Sequence, residues 1–186
     1  MARSGLNRTK VLQAAQDLLD QKGFTELTVA NLAVSLGIRP PSLYNHVESL
    51  ADIRNELSIR VTHEMAEVLR KATAGKTLDE AVLAMGLAYR QYAKGFPGRY
   101  SLAALAKVPS PEGDRAYLEV RKVFLETISA YGFSKEREAY AVRAIRSAIH
   151  GFVTLEINGG WLGFLSPDQS FIEVLKIVIQ GMKNAD

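Results

Sequence analysis

The stretch Thr28-Val-Ala-Asn-Leu-Ala-Val-Ser-Leu-Gly37-Ile-Arg-Pro-Pro-Ser-Leu-Tyr-Asn-His-Val47 decides how the chain begins to fold. Thr28 is a typical N-cap residue for a short helix that ends near Ser35, and Gly37 breaks that helix. The prolines at 40–41 then open another short helix that we expect to reach about Val47. Two short helices joined by a tight glycine turn have the geometry of a helix-turn-helix.

The apolar and polar positions of this stretch separate into two faces. Ala33 is small where the two helices must cross, and a set of larger apolar residues is spaced to face a core: Leu32, Leu36, Ile38, Leu43 and Val47. The residues left on the outer face of the third helix are hydrogen-bonding or aromatic side chains: Arg39, Ser42, Tyr44, Asn45 and His46. Such groups suit base edges and phosphates, although a helix-turn-helix can also be a structural element of an enzyme.

Helix signals continue on both sides of this stretch. A first helix is predicted from about Thr9 to Lys22, with Gly23 ending it, and a fourth from Ser49 to about Thr73. The segment 74–76, Ala-Gly-Lys, is the one hinge that the pattern offers. Five further helices follow, with predicted starts at Thr77, Pro97, Ser110, Ser134 and Ser166 and predicted ends near Gly95, Lys107, Gly132, Asn158 and Met182.

The pattern therefore predicts an all-α protein of about nine helices, since hardly any segment alternates with the period of a strand. We assign residues 1–50 to a helix-turn-helix module and residues 51–186 to a larger helical domain. The first ten residues carry Arg3, Arg8 and Lys10 and no acid. They form either a basic arm beside phosphates or an ordinary solvated terminus.

Composition excludes several classes of site. The 186 residues contain no cysteine, which rules out disulfides, thiolate zinc sites and thiol nucleophiles. The three histidines lack a metal-ligand spacing, so we expect no metal site and no cofactor. We also predict no catalytic residues, because no nucleophile and base pair is visible. Without a leader or membrane-spanning pattern, the expected location is the cytoplasm.

The N-terminal sequence motifs resemble the DNA-binding domain of the TetR family over about residues 8–53. They include the turn Gly23-Phe24, the run from Thr28 to Ile38, and Ser42-Leu-Tyr-Asn-His-Val47. The resemblance implies that Thr28 and Tyr44 hold backbone phosphates and that the run from Arg39 through Pro41 to His46 meets the major groove. Where the family usually has a phosphate-binding lysine, this chain has Leu50, and Arg54 one turn later is a candidate to compensate.

The run Arg146-Ser-Ala-Ile-His150-Gly151 to Gly160 resembles the core of the His-Gly (WHG) subgroup of TetR effector domains. The resemblance implies a helical domain that takes a small-molecule effector, which we expect to be largely apolar. Candidate pocket residues are aromatic or polar: Tyr89, Tyr92, Phe96, Tyr117, Phe124, His150 and Glu156. The aromatic residues are at least as typical of an ordinary core, and His150 is more typical of a hydrogen-bonded core histidine. Glu156 either places a carboxylate at the end of the pocket, where a cationic or hydroxylated effector could bind, or is a solvated or dimer-rim residue.

The last helix confines its polar residues to one narrow stripe, so it must bury more than one face. Small residues of the eighth helix permit close approach of a partner helix. These features predict a homodimer interface that includes Ala144, Ala148, Gly151, Phe171, Leu175, Val178 and Met182. The alternative is that the last helix is buried entirely within one chain.

Taken together, the sequence predicts a ligand-responsive transcriptional regulator, most simply a repressor. As a homodimer it would place two recognition helices roughly 34 Å apart on a pseudo-palindromic double-stranded DNA operator. Two other classes remain open. One is an all-helical enzyme that uses the helix-turn-helix as scaffold, and the other is a protein-binding adaptor.

Overall fold

A computed structural model describes residues 5–105, 108–160 and 164–184. Within these ranges the chain is helical and has no strand. The helices are α1 (Arg8–Lys22), α2 (Val29–Leu36), α3 (Pro40–Leu43), α4 (Leu50–Thr73), α5 (Leu78–Gly95), α6 (Pro97–Leu105), α7 (Pro111–Ser129), α8 (Lys135–Ile157) and α9 (Pro167–Asn184), with a short 3₁₀ turn at Phe24–Glu26. The predicted all-α class is confirmed.

Side-chain caps explain where several helices begin. The Asn7 side chain accepts a hydrogen bond from the backbone N–H of Lys10 at the start of α1, and Ser134 does the same for Arg137 at the start of α8. Ser49 Oγ accepts from the N–H of Asp52 in α4. Each cap pairs one of the backbone donors that a helix start leaves free.

The third helix is shorter than the sequence predicts, because it ends at Leu43 and not near Val47. The next three backbone N–H groups, those of Tyr44, Asn45 and His46, each bond to the carbonyl three residues earlier. These bonds have the tighter spacing of a 3₁₀ turn and not that of an α-helix, so residues 44–46 form a turn that follows α3.

Backbone contacts divide the chain into two compact units. The N-terminal unit comprises Met1–Thr62 and Phe96–Arg115, and the C-terminal unit comprises His63–Gly95 and Ala116–Asp186. The division falls inside α4 and inside α7. The predicted division at residue 50 is one of function and stays a prediction.

In the N-terminal unit, α1, α2, α3, the first part of α4 and α6 enclose one apolar core. Its fully buried members include Leu12, Leu19, Leu32, Leu43 and Ile53. Helix α6 rests directly on the end of α1, since a Cβ added at Gly98 would lie 2.2 Å from the carbonyl oxygen of Leu19.

In the C-terminal unit, α5, α8 and α9 pack against one another. Phe171 and Leu175 of α9 are fully buried, and the Phe171 ring meets Phe152 of α8 edge to face at 5.0 Å. A Cβ at Gly86 of α5 would lie 2.6 Å from Leu175 Cδ1, so glycine lets these two helices approach closely.

Candidate functional site

The start of α2 is fixed by Thr28. Its backbone is extended, and its hydroxyl accepts a hydrogen bond from the N–H of Asn31 at 3.2 Å. The Asn31 amide in turn donates to the backbone oxygen of Glu26 at 2.9 Å. Thr28 is half-buried, which leaves part of it accessible at the surface of the unit.

The turn between α2 and α3 needs its glycine. Gly37 has φ 67° and ψ 32°, in the left-handed region where a side chain is disfavoured. The following N–H, that of Ile38, bonds to the Ala33 carbonyl at 3.0 Å. Ala33 is almost fully buried, as its place at the helix crossing predicts. The turn thereby sets the direction of α3 relative to α2.

The candidate DNA-contacting residues of α3 and its following turn lie on one short segment. Leu43 and Val47 point into the core. Four of the candidates are exposed (Arg39, Pro41, Tyr44 and Asn45) and two are half-buried (Ser42 and His46). Tyr44 is 53% exposed to solvent, which is a large fraction for an aromatic residue. This short segment therefore presents a cation, hydroxyls, an amide and an imidazole to solvent.

Arg8 is not available as a member of a basic arm. Its guanidinium holds Asp52 through two bonds of 2.7 and 2.9 Å, and it also donates to Glu56 at 2.6 Å. The same pairing lowers the pKa of Asp52, with the Arg8 hydrogen bond as the largest cause. Arg3, the other arginine of the predicted arm, lies outside the described residues.

Arg54 also has a different place from the one expected for a substitute phosphate anchor. One of its terminal nitrogens donates to the carbonyl of Leu27 at 2.7 Å, and the guanidinium lies 5.2 Å from the centre of the Phe24 ring. Arg54 is therefore engaged inside the N-terminal unit, next to Thr28.

The candidate effector residues are only partly brought together. In the C-terminal unit, the Tyr89 hydroxyl lies 3.5 Å from His150 Nδ1, and Tyr117 accepts a bond from Arg146 at 2.9 Å. Burial, and then the charge of Arg146, lowers the pKa of His150, which favours the neutral imidazole. The Tyr92 hydroxyl donates to Glu64 at 2.9 Å.

Two candidates do not belong to that group. Phe124 is only 1% exposed and is a core residue, so it offers no surface to a ligand. Phe96 falls in the N-terminal unit, where Arg99 lies 4.4 Å from its ring centre. Both were proposed from aromatic composition alone, which does not distinguish a pocket wall from a core.

Glu156 is paired, and its partner is a residue that the sequence reasoning missed. Arg90 of α5 binds Glu156 through two bonds of 2.7 and 2.5 Å and also binds Asp168 at 2.6 Å. The side chains of Arg90 and Glu156 are 7% and 12% exposed, and Lys94 lies 3.1 Å from the same carboxylate. These contacts, the Arg90 bond first, lower the pKa of Glu156. A visible signal existed, because Arg90 follows Val82 and Gly86 at spacings of four on the buried face of α5.

A cavity of about 280 Å³ lies in the C-terminal unit between α4, α5 and α7. Its lining includes Thr73, Thr77, Val123 and Thr127. None of the seven effector candidates lines it. The sequence offered no signal for this cavity, since its walls come from three separated segments.

The candidate dimer residues divide between the interior and the surface. Phe171, Leu175 and Met182 are buried within the single chain, so they stabilise its core and are not free to meet a partner. Ala144 is exposed, and Ala148, Gly151 and Val178 are partly exposed. The outward faces of the two helices carry uncharged residues at spacings of three and four: Tyr140, Ala144, Ser147, Gly151 and Leu155 on α8, and Ser170, Val174, Ile177 and Gly181 on α9.

No helix within the described ranges has the length and apolar character that crossing a membrane requires.

The family model described as "Tetracyclin repressor-like, C-terminal domain" matches residues 82–178. A regulator of the HTH type from Mycobacterium tuberculosis is 37% identical, over 96% of this chain and 82% of the relative. The tetracycline repressor protein class D of Escherichia coli is 28% identical, over 100% of this chain and 83% of that protein.

Among solved structures, a TetR variant from Acinetobacter baumannii in complex with minocycline superposes with a TM-score of 0.69. The two chains are 21% identical, and the match covers 96% of this chain and 97% of the other. At that identity the likeness concerns the fold.

Proposed function

Because the chain belongs to the TetR family of transcriptional regulators, we propose that it is a ligand-responsive repressor that binds a pseudo-palindromic DNA operator as a homodimer. The observation that carries this proposal is the exposed segment Arg39–His46, held outward by the left-handed turn at Gly37. A module of residues 1–50 then reads DNA, and residues 51–186 bind the effector and the second subunit. The resemblance to the WHG subgroup stays a prediction.

The exposed segment supports a division of labour between its residues. Thr28 and Tyr44 hold phosphates, which position the module without reading sequence. Arg39 and Asn45 have the donors and acceptors that distinguish base pairs in the major groove. Pro41, Ser42 and His46 complete the surface that faces the groove.

The dimer is proposed to form through the outward faces of α8 and α9. Ile177 is 69% exposed and is flanked on its face by Val174 and Gly181. Apart from the backbone of its own helix and its two chain neighbours, a Cβ added at Gly151 or Gly181 would meet no described atom within 4 Å, which leaves room for a second chain to approach. Uncharged helical stripes with small residues are suited to close helix packing between subunits.

The effector is proposed to bind beside Tyr89, Tyr117 and His150. Hydroxyl groups and a neutral imidazole favour a largely apolar ligand with a few hydrogen-bonding groups. A cationic ligand gains little from Glu156, since Arg90 and Lys94 already neutralise that carboxylate.

A genomic fragment selection followed by mobility shifts tests the proposal. We expect capture of one or a few fragments with inverted repeats, and affinity that falls steeply between roughly 50 and 200 mM salt. Failure to select any fragment, or a flat salt response, would favour the helical enzyme or the adaptor. That the protein is not an enzyme, acts in the cytoplasm and needs neither metal nor cofactor is part of this proposal.

A further inference from the structure

Arg54 connects α4 to the segment that leads into α2. Arg54 lies one turn after the start of α4, and a terminal nitrogen of its side chain donates to the Leu27 carbonyl at 2.7 Å. The guanidinium also lies 5.2 Å from the centre of the Phe24 ring. Its Nε is shielded from solvent and has no hydrogen-bond partner among the described residues. Arg54 is half-buried, and its guanidinium is engaged within the unit by a hydrogen bond at one terminal nitrogen and by the Phe24 ring.

We propose that Arg54 is a positioning residue for DNA binding, which fixes the Phe24–Leu27 segment against α4 and so places Thr28. This inference rests on the proposed function, since it assumes that Thr28 contacts DNA. In this role Arg54 acts on DNA binding through Thr28 and not through a phosphate contact of its own.

The connection from Arg54 to Thr28 is short and direct. Leu27 is the residue before Thr28, so a displacement of the Leu27 carbonyl displaces the Thr28 backbone. Thr28 in turn caps α2 through the bond to the Asn31 N–H at 3.2 Å. Asn31 returns to the same segment by donating to the backbone oxygen of Glu26. Arg54 thus adds a hydrogen bond from α4 to a loop that also packs against α1 and α6.

An arginine is needed at this position for a geometric reason. Its planar guanidinium donates along its edge to Leu27 while its face lies over the Phe24 ring. A lysine keeps the positive charge but has a single rotatable ammonium group, which cannot make both contacts in the same way. Charge and position can therefore be separated by substitution.

The test compares Arg54→Lys with the unaltered protein in operator titrations over a range of salt, at a temperature where circular dichroism shows both folded. We expect affinity about tenfold weaker, with the slope of log K against log salt unchanged because no phosphate contact is lost. Hydrogen exchange of the Asn31 N–H should be faster. Arg60→Lys is the matched control on the same helix, since Arg60 pairs with Glu56 at the surface, and it should change neither measurement.

Three outcomes overturn the inference. In the first, Arg54→Lys binds as tightly as the unaltered protein. In the second, Arg54→Gln lowers the salt slope by about 0.9 while Arg54→Lys restores it, which indicates a direct phosphate contact. In the third, the unaltered protein binds no DNA in the same titration, so that the proposed function fails and the positioning role with it.

A second variant covers the case in which Arg54→Lys does not fold. Phe24→Leu keeps the charge and the Leu27 acceptor but removes the ring beneath the guanidinium. We expect operator affinity about threefold weaker at an unchanged salt slope. Binding equal to that of the unaltered protein would overturn the role of this contact.

Discussion

The segment Arg39–His46 and the outward faces of α8 and α9 are two proposed interfaces built in opposite ways. The first is short, polar and set in place by a cap, a left-handed glycine and a proline-opened turn. The second is a long stripe of uncharged residues that stays at the surface after α8 and α9 have packed their buried sides into the core. Local chemistry determines the first interface, whereas packing with other helices determines the second.

The largest effect is expected from Ile177→Glu. A charge at this exposed apolar position would be buried without a partner in the dimer, so the variant should be monomeric yet folded. Each chain alone keeps half of the DNA contacts, and operator affinity should fall at least about a hundredfold. Light scattering, circular dichroism and an operator titration measure the three quantities.

Lys176→Glu is the matched control, because it adds the same side chain at the adjacent exposed position, on the polar side of α9. It should stay dimeric and bind DNA normally. Leu175→Glu should instead unfold the C-terminal unit, since Leu175 is fully buried. If Ile177→Glu remains dimeric, the dimer interface lies elsewhere and the contrast with the segment Arg39–His46 fails.

The next effect concerns the interior of the C-terminal unit. Arg90→Met leaves the carboxylate of Glu156, only 12% exposed, with Lys94 as its one remaining cation among the described contacts. Breaking a buried ion pair from one side costs roughly 3 kcal/mol of unfolding free energy. Urea denaturation measures the loss. The double variant Arg90→Met, Glu156→Gln removes the unpaired charge and should recover part of it.

These expectations bear on what a sequence can and cannot predict. The helix-turn-helix was predictable because Thr28, Gly37 and the proline at 40 determine the backbone only of residues close to them in sequence. The hydrogen bond from the Asn31 N–H to the Thr28 cap and the bond from the Ile38 N–H that closes the turn need no distant partner. Even there, the predicted end of α3 was too late, since a 3₁₀ turn and the last turn of an α-helix have similar sequence patterns.

The roles of charged and aromatic residues were less predictable, because they depend on contacts between distant segments. Arg8 meets carboxylates that lie 44 and 48 residues away, and Arg90 meets one that lies 66 residues away. The apolar pattern of α9 indicated that more than one face is buried. It did not show that Leu175 faces the core and Ile177 the surface, because both lie on the same broad apolar arc.

A smaller effect separates the proposed roles within the segment Arg39–His46. Tyr44→Phe removes the proposed phosphate bond and should weaken binding to every sequence about fivefold. Asn45→Ala and Arg39→Ala should instead relax the preference at particular base pairs. Anisotropy titrations on a set of single-base operator variants give the pattern. An equal loss on all variants for all three proteins would contradict the division between phosphate and base contacts.

The smallest effect compares one carboxylate from each unit as the pH falls. Arg90 lowers the pKa of Glu156 from its ordinary value near 4.5, and Arg8 lowers that of Asp52 from near 3.8. A carboxylate with a lowered pKa in the folded state stabilises the fold above its ordinary value and loses that contribution as pH falls through the lowered value.

Unfolding free energy should therefore decline below about pH 4.5, first through Glu156 and then through Asp52. Glu156→Gln should flatten this decline more than Asp52→Asn, because the Arg90 side chain is 7% exposed whereas that of Arg8 is 41% exposed and screened by water. Urea midpoints of the three proteins between about pH 3 and 6 decide the matter. A greater flattening by Asp52→Asn would place the stronger ion pair in the N-terminal unit and reverse the comparison.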